Sequence, residues 1–315
     1  MRRRFAPFAS LLLAVTAIAA ACGGSSGGDP YDLLYKAIES DRDPVQVNVG
    51  FAITDGPTSI VIDPSQVGVV IDKAGAKGAV HVAIPLASLD MNPADLAVFG
   101  FIGDSIDFDL VYDGDAVYAR SAVAGALLQT VLAQTGELPD GDLGGWLRLG
   151  TTAELESLAE LLSGGAAIPT ATMPPAANAG ELKATLEGLG ITLKNEGRQD
   201  RNGVDANHIS VGLDVDKLLA SDYLDAAGAA EIESARSALE QVELKIDLWL
   251  DASSGHLAEV DVKFASKTDS SQTGELTLRF RDPDGSISTD APDDFVELPI
   301  ESLVESLMGG GLLGL

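Results

Sequence analysis

"VELKIDLWLD" (242–251), "LAEVDVKFA" (257–265) and "GELTLRFRD" (274–282) close the chain with three alternating stretches. Val242, Leu244, Ile246, Leu248 and Leu250 fall on one side, as do Val260, Val262 and Phe264, then Leu276, Leu278 and Phe280. A period of two over this length predicts β-strands with one dry side. Glu243, Lys245, Asp247, Asp261, Lys263, Thr277 and Arg279 occupy the opposite positions, so that side is expected to face water.

The same texture recurs upstream. "VQVNVGFAI" (45–53) places Val45, Val47, Val49, Phe51 and Ile53 on one side. "TSIVID", "VGVVID" and "AVHVAI" follow at short intervals, broken by turn residues such as Asp63-Pro64, which suggests an antiparallel meander. "SIDFDLVYDGDAVYAR" (105–120) reads as a hairpin turning at Asp113-Gly114. "GGWLRLG" (144–150) reads as a short strand, and 191–214 as two strands around Asn202-Gly203.

Helical patterns lie between these strands. "DPYDLLYKAIES" (29–40) opens with an N-cap candidate, Asp29, and Pro30 at the first helical position. "SAVAGALLQTVLAQTG" (121–136) is apolar nearly all round, as for a helix buried on several sides or bordering an apolar cavity. "TTAELESLAELLSG" starts with a capping box, Thr151 and Glu154. Residues 164–180 carry no periodicity and are expected to be a mobile loop. "ELKATLEGLG", the stretch from "DKLLASDYL" to "AAEIESARSALE", and the tail "PIESLVESLMG" complete the helices. The expected fold class is α+β, a curved antiparallel sheet (half-barrel) with helices packed on its concave face.

The N-terminus carries a different message. Arg2, Arg3 and Arg4 precede the apolar "FAPFASLLLAVTAIAAA", the layout of a secretory signal. Ala19, Ala20 and Ala21 then lead to Cys22, the only cysteine, which resembles the lipobox of bacterial lipoproteins. That resemblance implies cleavage between Ala21 and Cys22 and lipidation of the Cys22 sulfur. "GGSSGGD" beyond it is a flexible tether spanning about 15 Å. Acyl chains gain about 0.8 kcal/mol per buried methylene, so two or more make a permanent anchor. The expected organisation is a signal peptide at 1–21, a tether at 22–29, one domain over 30–300 and a tail helix with a flexible end at 301–315. The expected location is the extracytoplasmic face of a cell membrane.

Charge narrows the function. The chain has 20 Lys and Arg against 48 Asp and Glu, a net charge of −28 at pH 7. Losing residues 1–21, with their three arginines and no acid, takes it to −31. Such a surface excludes nucleic acid, whose binding needs cations against phosphate. It also repels anionic headgroups, so membrane attachment falls to the acyl chains. A 46% hydrophobic content rules out a disordered acidic tail.

Catalytic and metal motifs are missing from the sequence. His81, His208 and His256 sit in strands or turns without metal-ligand spacing and read as strand-face or surface residues. No G-x-S-x-G, H-E-x-x-H or P-loop pattern occurs. "DPDGSISTD" and "LPDGDLGG" do not fit the calcium-loop spacing. Neither an enzyme nor a bound cofactor or metal is expected.

From "LKIDLWLDASSGHLAEVDVKFA" to "GELTLRFRDPDGSISTDAP" the sequence resembles the LppX/LprG-type cell-envelope lipoproteins of mycobacteria. The shared features are the lipobox, the early Leu/Ala-rich helix "DLLYKAIES", the Trp249 strand, Ser254-Gly255 and the closing Ala291-Pro292. The resemblance implies a LolA-like fold enclosing an apolar cavity, with an acylated lipid or lipoprotein as partner. Candidate lipid-contacting residues, taken from the apolar strand faces and the apolar helix, are Val47, Val49, Phe51, Leu127, Leu128, Val131, Leu132, Ile246, Leu248 and Val262. Such a cavity would bind acyl chains through area removed from water, at roughly 25 cal/mol per Å². The alternative is a non-transporting envelope lipoprotein that binds a protein partner, with the sheet face filled by its own helices.

Overall fold

The computed structural model describes residues 28–40, 42–89, 105–135, 141–154, 176–221, 236–237 and 239–298. In chain order these form α1 (Pro30–Glu39), β1 (Val45–Asp55), β2 (Thr58–Ile62), β3 (Val67–Asp72), β4 (Lys77–Pro85), β5 (Ser105–Tyr112) and β6 (Ala116–Arg120). They continue with α2 (Ala122–Thr135), β7 (Trp146–Thr151), α3 (Ala179–Gly188), β8 (Ile191–Arg201), β9 (Val204–Leu213) and α4 (Val215–Leu219). The last are β10 (Val242–Asp251), β11 (Leu257–Ser266), β12 (Gln272–Arg281) and the two-residue β13 (Val296–Glu297). The fold class is α+β with an unclosed antiparallel sheet, as the alternation implies. Local signals held as well. Asp29 caps α1 by accepting from the Tyr31 amide at 2.9 Å, and Asn202-Gly203 turns the β8–β9 hairpin with φ of 54° and 81°.

By its contacts the chain divides into two compact units, Met1–Ser65 with Pro169–Asp282 and Gln66–Ile168 with Pro283–Leu315. The first unit orders its strands β8-β9-β10-β11-β12-β1, with β2 also on β1. On its apolar face, α1 contributes Leu33, Leu34 and Ala37, and α3 contributes Leu182 and Leu186. They pack against Ile209, Ile246, Leu248, Leu250, Val260, Val262, Leu276 and Leu278. Tyr31 joins helices to sheet: its hydroxyl donates to Glu187 Oε1 at 3.3 Å and accepts from the Leu193 amide at 3.2 Å. Two strand glycines make room for neighbours. A Cβ on Gly50 would lie 2.5 Å from Pro64 Cγ, and one on Gly274 would overlap the ring of Phe264, its cross-strand partner.

The opposite face of this unit differs from expectation. Glu243, Lys245 and Lys263 face water as expected, but part of the charged side is a second buried layer: Asp261 is 0% exposed, and Asp247 and Glu259 are each 2% exposed. The cause is the β8–β9 hairpin, whose tip carries Arg201 over the strands. Arg201 pairs with both Glu259 and Asp261, and its guanidinium lies 4.2 Å from the centre of the Trp249 ring. Arg279 Nε and Asn202 Nδ2 donate to Glu259 at 2.9 and 2.6 Å. Asp247 takes Lys245 Nζ at 2.8 Å and His208 Nε2 at 2.7 Å, while the His208 ring stacks on Trp249 at 4.9 Å. Buried carboxylates persist only with such partners. On β1 the correction is similar. Gln46 and Asn48 are buried, because Asn48 Nδ2 donates 2.9 Å to the Pro64 carbonyl as the following turn folds over them.

The second unit orders its strands β3-β4-β5-β6-β7-β13, antiparallel except for β13 on β7. One face buries Val70, Ala79, Val111, Ala116 and Tyr118. The same face carries a cross-strand row, His81–Asp109–Arg120–Trp146. In that row Asp109 accepts from Arg120 at 2.6 Å and lies 2.6 Å from His81 Nδ1. The other face is apolar, and α2 packs on its β7 end through Leu128 and Leu132 against Leu143 and Leu147.

Candidate functional site

A surface for an acyl chain needs apolar side chains that the protein's own packing leaves partly uncovered. The two units answer this requirement differently. In the first, α1 and α3 seal the middle of the apolar face, and Leu248 keeps 2% of its surface. Half-buried residues border the sealed middle: Val47, Val49 and Phe280 from β1 and β12, Leu244 from β10, and Leu193 and Val211 from β8 and β9. Asn207 shares the face of Ile209 and Val211 by strand alternation. Its Nδ2 is buried without a hydrogen-bond partner among the described residues.

In the second unit the apolar face is half-buried over several strands. The register aligns Val69, Val80, Leu110, Ala119 and Leu147 in one row, and Val67, Val82 and Phe108 in the next. Ile84 and Ile106 pair beyond them. Leu147, beneath α2, is buried, whereas Val67, Val69, Val80, Val82, Ile84, Ile106, Phe108 and Leu110 are all half-buried. This expanse of branched and aromatic side chains with residual exposure is the stronger candidate surface. It was not singled out from the sequence, although the alternation of Ile106, Phe108 and Leu110 was visible there.

The residues expected to contact lipid are divided between these places. Val47, Val49 and Phe51 are half-buried on β1. Ile246, Leu248 and Val262 are buried in the first unit's core beneath its helices. Leu128 and Leu132 belong to the second unit's helix contact, with Leu132 fully buried. The side chains of Leu127 and Val131 lie outside the described residues, as do Ala21, Cys22, the signal segment, most of the tether, residues 164–175 of the expected loop and the tail from 299 onward.

Two buried acids of the first unit are shifted in opposite directions. Burial raises the Asp261 carboxyl above the usual carboxylate range; Glu259 adds to the rise, and Thr277 and Arg201 oppose it. Burial also pushes Asp247 up, but its hydrogen bonds to Lys245 and His208 outweigh that and hold it below the usual range. Both belong to the ion-paired layer. Among the described residues no three His, Cys, Asp or Glu side chains are placed to hold a metal ion. Among them, too, no helix is long and apolar enough to cross a membrane.

Comparison with known proteins adds the following. No family model matches the chain, and no curated protein does. Solved structures do. LprF from Mycobacterium bovis is 12% identical, over 85% of this chain and 99% of that one, with a TM-score of 0.36. LppX from Mycobacterium tuberculosis is 12% identical, over 90% of this chain and 98% of that one, with a TM-score of 0.30. A LolA superfamily protein from Nitrosomonas europaea matches too, at 12% identity over 85% and 96% of the two chains and a TM-score of 0.23.

Proposed function

We propose that this protein is a membrane-anchored bacterial lipoprotein that holds the acyl part of a lipid or lipoprotein on its apolar sheet surface, for transport or handling within the cell envelope. The observation carrying this reading is the half-buried apolar face of β3, β4 and β5 in the second unit. Hydrocarbon binding needs area and no catalytic group. The lipobox at Ala21–Cys22 supports the anchor, and the strongly negative surface supports attachment through acyl chains rather than headgroup contacts.

The test is organic extraction of the purified full chain followed by mass spectrometry, together with titration of a fluorescent palmitate analogue. Co-purified acyl lipid and saturable uptake of the analogue are expected. A protein that carries no lipid and takes up no analogue is not a lipid handler. The second reading, a scaffold that binds another envelope protein, draws on the first unit, where α1 and α3 already fill the apolar face. It would be favoured if the analogue failed to bind.

A further inference from the structure

Between α1 and β1 stands Arg42, a cation whose donors are only partly answered. Its side chain is 14% exposed, and its Nε and Nη1 are buried with no hydrogen-bond partner among the described residues. The nearest carboxylate is that of Asp282, which is 89% exposed and lies 3.5 Å from Nε. That is a long ion pair to a group held mainly by water. A buried guanidinium is costly until its N–H groups meet acceptors. Its planar fork fits the paired oxygens of a carboxylate or a phosphate.

The surroundings indicate what carries those oxygens. β1 and β12 lie side by side here, with Gln46 opposite Arg281 and Val47 opposite Phe280. Asp282 is the next residue in the alternation of Leu276, Leu278 and Phe280, so Arg42 stands at the end of the first unit's apolar side. Val47, Val49 and Phe280 are half-buried there. Ile38, in the last turn of α1, packs against the same cluster. A cation with unanswered donors therefore borders a margin of apolar side chains, the layout that suits a charged head on a hydrocarbon chain.

We propose that Arg42 is the headgroup site for an anionic amphiphile. The carboxylate or phosphate of an acyl lipid accepts from Nε and Nη1, its chain lies along Val47, Val49 and Phe280, and Asp282 is the placeholder that it displaces. The site deepens the lipid-binding reading above and rests on it. It also makes a demand that an apolar face alone does not. Such a face binds an acid and its methyl ester through the same buried area. With a net charge of −28 the protein repels anions in general, so a preference for the acid needs a cation set aside for it.

The fluorescent palmitate analogue and its methyl ester are titrated into the purified full chain, into Arg42→Met and into Asp282→Asn. The wild type should bind the acid about tenfold more tightly than the ester. Arg42→Met should erase that preference and leave ester affinity unchanged, whereas Asp282→Asn should tighten acid binding. Equal affinity for acid and ester in the wild type, a preference that survives Arg42→Met, or unchanged acid binding in Asp282→Asn overturns the proposal and leaves lipid binding intact. The Asp282→Asn arm decides the matter even where methionine at 42 is not tolerated. Acetate in excess should not displace the acid; displacement marks a site for free anions and overturns the assignment to an amphiphile. Binding of neither probe removes the lipid reading and this site together.

Discussion

The two units present apolar sheet faces built on the same alternation, yet the faces end differently. In the first, α1 and α3 lay Leu34, Leu182 and Leu186 across the strands, so Leu248 and Val260 are core. In the second, α2 packs on Leu147 and also contacts β5, and the valines and isoleucines of β3 and β4, with Phe108 of β5, stay half-buried. Strand periodicity marks which side is dry and leaves open what dries it. Only the placement of helices separates a core from a surface that can take a guest.

That contrast can be broken in several ways. The largest effect should come from Arg201→Met in the first unit, which strands Glu259 and Asp261 without their shared cation. A loss of about 3–5 kcal/mol is expected in urea unfolding, and a loss below 1 kcal/mol would mean the ion-paired layer is dispensable. Next, Leu248→Ala should cost about 2–5 kcal/mol, while Phe108→Ala on the half-buried face should cost about half as much or less. Equal costs would erase the difference between the faces. Phe108→Ser should in turn weaken uptake of the palmitate analogue by roughly tenfold, whereas Leu248→Ala should change stability more than uptake. Gly50→Ala, which drives a methyl into Pro64, should cost about 1–3 kcal/mol through displacement of the turn covering Gln46 and Asn48.

The smallest effect is that of pH. Asp261, with its folded pKa raised, contributes stability that is complete below the usual carboxylate range and lost as pH rises through the folded value. Asp247, with its folded pKa lowered, contributes stability present above that range and lost as pH falls through its folded value. Asp261→Asn should therefore remove a gain on acidification, and Asp247→Asn should remove a loss. Urea midpoints measured from about pH 7 down to about pH 2 check both signs; parallel profiles for the two variants would refute the assignment.

Much of this was legible in the residues. Asp29 and Pro30 announced α1, Asn202-Gly203 announced the β8–β9 turn, and the strict alternation in β10, β11 and β12 identified the face that packs on the helices. The fate of the charged face was hidden for a physical reason. Asp247, Glu259 and Asp261 alternate like any solvated set, and the group that buries two of them, Arg201, is remote in sequence. A clue existed in Trp249, an indole on the supposedly wet side, since a large aromatic there needs something over it. The candidate lipid contacts divided for a related reason. Ile246, Leu248 and Val262 have the pattern of a lining, but a lining and a core share one pattern.

The ring of Phe264 resting on Gly274 has a historical consequence. No side chain can enter position 274 while that ring is in place, yet a smaller residue at 264 would leave a void over the glycine. The two positions are therefore coupled in descent: a larger residue at 274 needs the ring at 264 to shrink or to swing aside. Homologues should show Phe with Gly, or a small residue with a larger one, and the clashing pair of Phe with a bulky residue should be missing.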